Sequence, residues 1–160
     1  MEKEILSILE NDAHTTTKQI SAMTGASSTE VTKLIKKAEK DRVILKYKAI
    51  VNWDKVENEQ VLALIEVKIT PEKDVGFDSV AERIYRFPQT RTVYLISGTY
   101  DLFVLVAAKT NHEVADFVSQ KLSYVEGVQG TVTQFVLKRY KEDGEVIEEK
   151  EEVKRQPVIL

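Results

Sequence analysis

The chain has 160 residues, 42% of them hydrophobic, with 23 Lys and Arg against 26 Asp and Glu and a formal charge of −3. That supply of apolar residues builds one domain of about 150 residues or two small ones, and the composition is that of a soluble globular protein. No cysteine is present, which excludes disulfides and thiolate metal sites. The charged start Met1-Glu2-Lys3-Glu4 lacks the apolar core of a signal peptide, and no apolar run nears the roughly 20 residues that span a bilayer, so a cytoplasmic location without a membrane partner is expected.

Ile5, Leu6, Ile8 and Leu9 predict a first helix over about residues 2–11, ended by Asn11-Asp12. A short second helix follows, with Ile20 and Met23 on its apolar face and Thr16 or Thr17 at its cap. Gly25 then stands where a left-handed turn residue is needed, and Ser27-Ser28-Thr29-Glu30 reads as a capping box with Ser27 at N-cap and Glu30 at N3. In the third helix Val31, Leu34, Ile35 and Ala38 fall at helical spacing, while Thr32, Lys33, Lys36, Lys37 and Lys40 fill the rest of its surface. The β-branched run from Val43 to Val51 predicts a strand or hairpin wing.

This order of elements is that of a helix-turn-helix with a wing, and the local charge suits it. Between Ser28 and Lys48 seven basic residues face three acidic ones, a net of +4 in a chain of −3. Double-stranded DNA attracts such a patch through counterion release, and a capped helix start offers N–H donors to the same phosphates. Base reading falls to Ser28, Thr29, Thr32 and Lys33, near the start of the helix that enters the major groove. Thr17, Ser27, Lys36, Lys37, Arg42, Lys46 and Lys48 complete the expected DNA-facing set. Lysines on one helix face are commonly no more than a solvated surface; the ordered combination is what favours DNA.

Asn52 to Asn58 is polar and holds Trp53, marking a linker. Val61 to Ile69 reads as a strand stopped by Pro71, with Glu66 and Lys68 alternating outward. Val75 to Phe87 has helical spacing through Phe77, Val80, Ala81, Ile84 and Tyr85, closed by Pro88. Thr92 to Ser97 and Leu102 to Ala108 form a hairpin around Gly98-Thr99-Tyr100-Asp101. Asn111 is the expected N-cap of a helix through Tyr124, ended by Gly127, and Thr131 to Tyr140 is the last strand. The resulting β-α-β-β-α-β order is the ferredoxin-like arrangement, so the chain is expected to be α+β. The expected domains are a winged helix-turn-helix over residues 1–51, a linker over 52–60, the ferredoxin-like domain over 61–141 and an acidic tail over 142–160. Strands apolar on both faces call for a second copy to cover the open one, so a homodimer is expected.

With Ser97-Gly98-Thr99-Tyr100-Asp101 in the central hairpin, Ala26-Ser27-Ser28 at the third helix and Val43-Ile44 to Tyr47-Lys48-Ala49 after it, residues 1–141 resemble the Lrp/AsnC family of feast/famine transcription regulators. The resemblance implies dimers through the C-terminal sheet, further assembly into octamers in many members, and an amino-acid effector in a cleft lined by Gly98, Thr99, Tyr100 and Asp101. There a glycine lets backbone approach the ligand, neighbouring N–H groups receive its carboxylate and Asp101 meets its ammonium; Thr131 and Thr133 add hydroxyls. As turn chemistry alone, Gly-x-Tyr-Asp between two strands is equally ordinary. This chain departs from the family pattern in having Leu34 where an arginine is usual, and Arg42 and Lys46 where glycines are usual.

Two other functions remain open. One is a tetrapyrrole decarboxylase-like enzyme of similar architecture, which would need histidines converging on a cleft; only His14 and His112 are present, and no catalytic triad or metal-spaced cluster is apparent. The other is an effector-sensing assembly module that does not bind DNA. The expectation is a regulator, not an enzyme, with no cofactor or metal beyond an amino-acid effector.

Overall fold

The computed structural model describes residues 1–56, 60–71 and 76–147. The chain divides into two compact units, Met1–Val51 and a second beginning at Asn52.

The first unit is three helices, α1 (Glu2–Asn11), α2 (Thr17–Thr24) and α3 (Ser28–Lys40). They close on a small core of Ile5, Leu9, Ile20, Ala26 and Val31, with Leu34, Ile35 and Ile44 packed against it. Both α2 and α3 begin in reciprocal capping boxes, Thr16 with Gln19 and Ser27 with Glu30. Each box satisfies two N–H groups that the helix itself leaves without partners. Gly25 ends α2 at φ 73°, a left-handed conformation that costs glycine nothing and turns the chain into α3. Met23, expected on the apolar face, is 62% exposed. Eight residues make barely two turns, and Ile20 alone fills the seat beneath them.

The wing departs from the strand expected over residues 43–51. No strand occurs there; the segment is irregular and largely exposed. A strand exists through its ladder, and no described segment of the chain pairs with this one. What fixes it is the end of α3. Val43 and Ile44 both donate to the Ala38 carbonyl, at 2.8 and 3.1 Å, with Arg42 at φ 57°.

The second unit holds a four-stranded antiparallel sheet, β1 (Val61–Ile69), β2 (Thr90–Leu95), β3 (Leu102–Ala108) and β4 (Val128–Phe135), in the order β2-β3-β1-β4. Two helices, α4 (Asp78–Tyr85) and α5 (Asn111–Gln120), complete the ferredoxin-like order, and a short 3-10 turn at Leu122–Tyr124 follows α5. Ile65, Val67 and Ile69 of β1 and Leu102, Val104 and Val106 of β3 form the buried face, joined by Val80, Ile84, Phe117 and Leu122. The Phe87 and Phe117 rings meet edge to face at 5.3 Å. Gly127 lies where a Cβ would stand 2.7 Å from Val80 Cγ2, so only glycine lets the chain pass α4.

Several boundaries differ from those read in the sequence. Expected over 75–87, α4 covers only Asp78–Tyr85 among the described residues, and Tyr85 is exposed. The cap of α5 is Thr110, whose hydroxyl accepts from the Glu113 N–H, not Asn111; and α5 stops at Gln120. β2 starts two residues early at Thr90, and β4 runs Val128–Phe135 in place of 131–140. Beyond it, β5 (Lys141–Glu142) and β6 (Glu145–Val146) form a small hairpin where an acidic tail was expected. Asp143 and Gly144 both have positive φ, the geometry of a type I′ turn. The hairpin is anchored by buried Ile147, whose carbonyl accepts from Asn52 Nδ2 at 2.9 Å. Glu148 to Leu160, the rest of the expected tail, lies outside the described residues.

Candidate DNA-binding and effector sites

On α3 the apolar positions Val31, Leu34, Ile35 and Ala38 turn inward. At 3.6 residues per turn, Thr29, Lys33, Lys36, Lys37 and Lys40 then share the opposite side, and all of these are exposed. Ser27 and Ser28 are exposed at the helix start, whereas Thr17 is half-buried. The Thr32 hydroxyl donates to the Ser28 carbonyl at 2.7 Å, which leaves only its lone pairs to meet a base-edge donor. Glu30 is held below the usual carboxylate range, chiefly by its bonds to the Ser27 hydroxyl and N–H, with Lys33 adding a smaller Coulombic pull. Its charge is thus engaged chiefly by the cap.

After α3, the Tyr47 hydroxyl donates to Glu39 Oε1 at 2.9 Å, and burial with that bond pushes the phenol up. This ties the irregular segment back to the helix. Arg42, Lys46 and Lys48 are exposed around the tie. The structure thus gathers the cationic candidates onto α3 and the segment leaving it, within one unit.

The second candidate site is the β2–β3 hairpin. Ile96 N–H bonds the Asp101 carbonyl at 2.9 Å and Asp101 N–H bonds the Val67 carbonyl at 3.0 Å, which closes the loop and docks it on β1. Between them the N–H groups of Ser97, Gly98, Thr99 and Tyr100 donate to no other group among the described residues. Ser97, Gly98 and Thr99 are exposed, and nothing lies within 4 Å of where a Gly98 Cβ would stand. A run of uncommitted N–H groups in a loop can receive a carboxylate where they converge.

Asp101 is differently placed from what the sequence suggested. Its Oδ2 accepts from the Ile69 N–H at 2.9 Å, and Lys68 Nζ lies 3.1 Å from both carboxylate oxygens. Those partners hold the carboxyl below its usual range, the Ile69 N–H first and Lys68 after it. The ammonium that Asp101 meets is therefore one of the chain's own. Thr131 and Thr133 are not brought to this group. Their register partners are Val67 and Ile65, which face the helices, whereas Lys68 and Glu66 point to the other face.

That other face carries Leu62, Leu64, Phe103 and Leu105, each half-buried, and Tyr94 stacked on Phe103 at 6.3 Å. An unrelated cleft of about 820 Å³ opens at the far end of the sheet, where Ala107 and Ala108 meet Lys109 and α5. It is remote from the hairpin, since Val61 pairs Ala108 at one end of β1 and Val67 pairs Leu102 at the other. His14 is exposed, and His112 sits 3.5 Å from Asp116 with its side chain 87% exposed.

Residues 62–146 match the family model described as the Lrp/AsnC ligand binding domain, and residues 1–44 match the one described as a winged helix-turn-helix DNA-binding domain. The chain belongs to the Lrp/AsnC family. It is 47% identical over 155 residues to YugG of Bacillus subtilis (strain 168), named an uncharacterized HTH-type transcriptional regulator, across 96% of this chain and 93% of that protein. It is 32% identical to the HTH-type transcriptional regulator FL11 of Pyrococcus furiosus, across 91% and 93%. Among solved structures, a transcriptional regulator of Neisseria meningitidis in complex with L-Met superposes with a TM-score of 0.68 at 23% identity, across 88% of this chain and 90% of that one. The leucine response regulatory protein LrpA of Mycobacterium tuberculosis gives 0.72 at 18% identity, across 92% and 97%. The structures carry the fold, and the family models carry the two functions. The chain is a DNA-binding transcription regulator of the family, built from a helix-turn-helix and a ligand-binding domain. No helix among the described residues is long and apolar enough to cross a membrane.

Proposed function

We propose that α3 is the recognition helix of a sequence-specific regulator, that the Gly98–Asp101 hairpin receives an amino-acid effector, and that the working unit is at least a dimer. The observation that carries the reading is the exposed cationic side of α3, on a helix whose start is capped and whose opposite side is the core of its unit. Lys33, Lys36, Lys37 and Lys40, with Arg42, Lys46 and Lys48, supply phosphate contacts; Ser28, Thr29, Thr32 and Lys33 read base edges. Ser27 and Thr17 offer the N-terminal ends of their helices to the backbone of the same duplex.

The uncommitted N–H groups of residues 97–100 support carboxylate capture at the hairpin, and the L-Met complex of a structural neighbour supports an amino acid as the class of effector. The Tyr94 and Phe103 pair with Leu62, Leu64 and Leu105 supports a second copy packing on the open face of the sheet. Two recognition helices related by that dimer axis meet successive major grooves roughly 34 Å apart, so the operator is near-palindromic. Effector binding then acts by linkage, stabilising one assembly state and changing which helices engage DNA together.

Footprinting on genomic DNA, with and without each amino acid, tests the reading. Expected are protected sites of approximate two-fold symmetry, an amino acid that shifts their occupancy, and loss of protection in the Lys33→Glu/Lys36→Glu variant. Protection that is uniform along the DNA, or that survives both substitutions, overturns it.

A further inference from the structure

The ion pair between Lys68 and Asp101 has a meaning for the effector that the hairpin alone does not. The Asp101 carboxylate is the anchored partner: its side chain is 15% exposed and Oδ2 also holds the Ile69 N–H. Lys68 is the movable one, 43% exposed at the end of a four-carbon stem. Across β1–β4 its register partner is Gly130, and a Cβ there would meet nothing within 4 Å. Within one chain, no atom stands there to hold the stem in place. An amino acid seated with its carboxylate on the N–H groups of residues 97–100 brings its own ammonium towards the nearest anion of the loop, Asp101, and meets Lys68 already there.

We propose that Lys68 is a built-in competitor for the effector's ammonium at Asp101, so that a zwitterionic ligand binds only by displacing it. This rests on the reading of the hairpin as the effector site. Two like charges cannot share one carboxylate without loss, so Lys68 lowers the affinity for ligands carrying an ammonium and does not lower it for those lacking one. It makes Lys68 a specificity-determining residue, and the response threshold adjustable through one side chain. The carboxylate itself acts first as a clasp between the hairpin and β1.

The test is isothermal titration calorimetry of the full chain and of its Lys68→Met and Lys68→Gln variants with the twenty proteinogenic amino acids. The N-acetylated form of the tightest binder serves as the ligand without an ammonium. Methionine keeps the apolar stem and glutamine a polar end, so a result common to both variants belongs to the lost charge. Expected is a tenfold or greater gain in affinity for the amino acid in both variants, with the N-acetyl form unchanged or weaker; binding of the amino acid by the variants alone supports the proposal equally. Unchanged or weaker binding of the amino acid overturns it and leaves the effector reading standing if the parent chain binds. An equal gain for the N-acetyl form overturns it too, because Lys68 then merely fills space. If none of the three proteins binds any amino acid, the proposal and the effector reading fall together.

Discussion

The two units hold themselves together in different ways. Among the described residues, the core cluster of residues 1–51 holds five buried side chains against ten in the sheet unit's, and the helices of residues 1–51 run only 8 to 13 residues. Such short helices depend on what satisfies their ends, and the two capping boxes do that within a few residues of sequence. The sheet unit instead rests on register between distant strands, with β1 central and flanked by β3 and β4. In the first unit structure is local and the cationic side chains of α3 are displayed on its surface. In the second it is non-local, and the candidate effector loop is tied to a residue 33 positions away.

Breaking the larger core gives the largest effect. Phe117→Ala removes a buried ring in edge contact with Phe87, and about 3–5 kcal/mol of stability should be lost. Urea unfolding followed by Trp53 fluorescence measures it; a loss under about 1 kcal/mol would show that the ring is not part of the core. In the first unit, Ser27→Ala should cost about 1 kcal/mol, because the Glu30 N–H loses its acceptor. Circular dichroism of the thermal transition checks the direction and size.

Arg42 sharpens the comparison further. It sits at φ 57°, a left-handed conformation that costs a non-glycine residue about 1–2 kcal/mol. Arg42→Gly should therefore raise the melting temperature while weakening DNA binding. Weaker binding without added stability would mean that the site is not strained.

The smallest effect is an electrostatic one, at the clasp of the sheet unit. Asp101 has a lowered folded pKa, so its stabilisation is complete above the unfolded value of about 4 and is lost as pH falls through the folded one. The stability difference between the parent chain and Asp101→Asn should accordingly shrink on acidification. A difference that is constant from neutral to acid pH contradicts the role of the Asp101 carboxylate as a clasp held by the Ile69 N–H and Lys68.

How much could be read in advance follows the same division. The Ser27 and Glu30 box, Gly25 and the apolar side of α3 were all legible, because caps and turns are decided by adjacent residues. The β1 and β3 boundaries were legible as well, both being apolar runs ended by turn residues. Thr110 was missed in favour of Asn111 because two neighbouring polar residues cap equally well by type, and backbone dihedrals choose between them. The strand over residues 43–51 was not legible, since β-branched composition supplies propensity but no partner strand. The small C-terminal hairpin was under-read, although Asp143-Gly144 is a type I′ signal; the surrounding glutamates masked it. The Lys68 to Asp101 pair was out of reach, being a product of sheet register.

The central claim is that the cationic side of α3 lies on DNA, and it is tested most directly by the salt dependence of binding. The measurement is log Kobs against log salt concentration for one operator fragment, with the parent chain and the Lys36→Ala/Lys37→Ala variant. Each lost phosphate contact should lower the magnitude of the slope by about 0.9, so the double variant should fall by roughly 2 and bind more weakly throughout. Parallel lines of equal affinity would place those lysines away from the duplex and contradict the account.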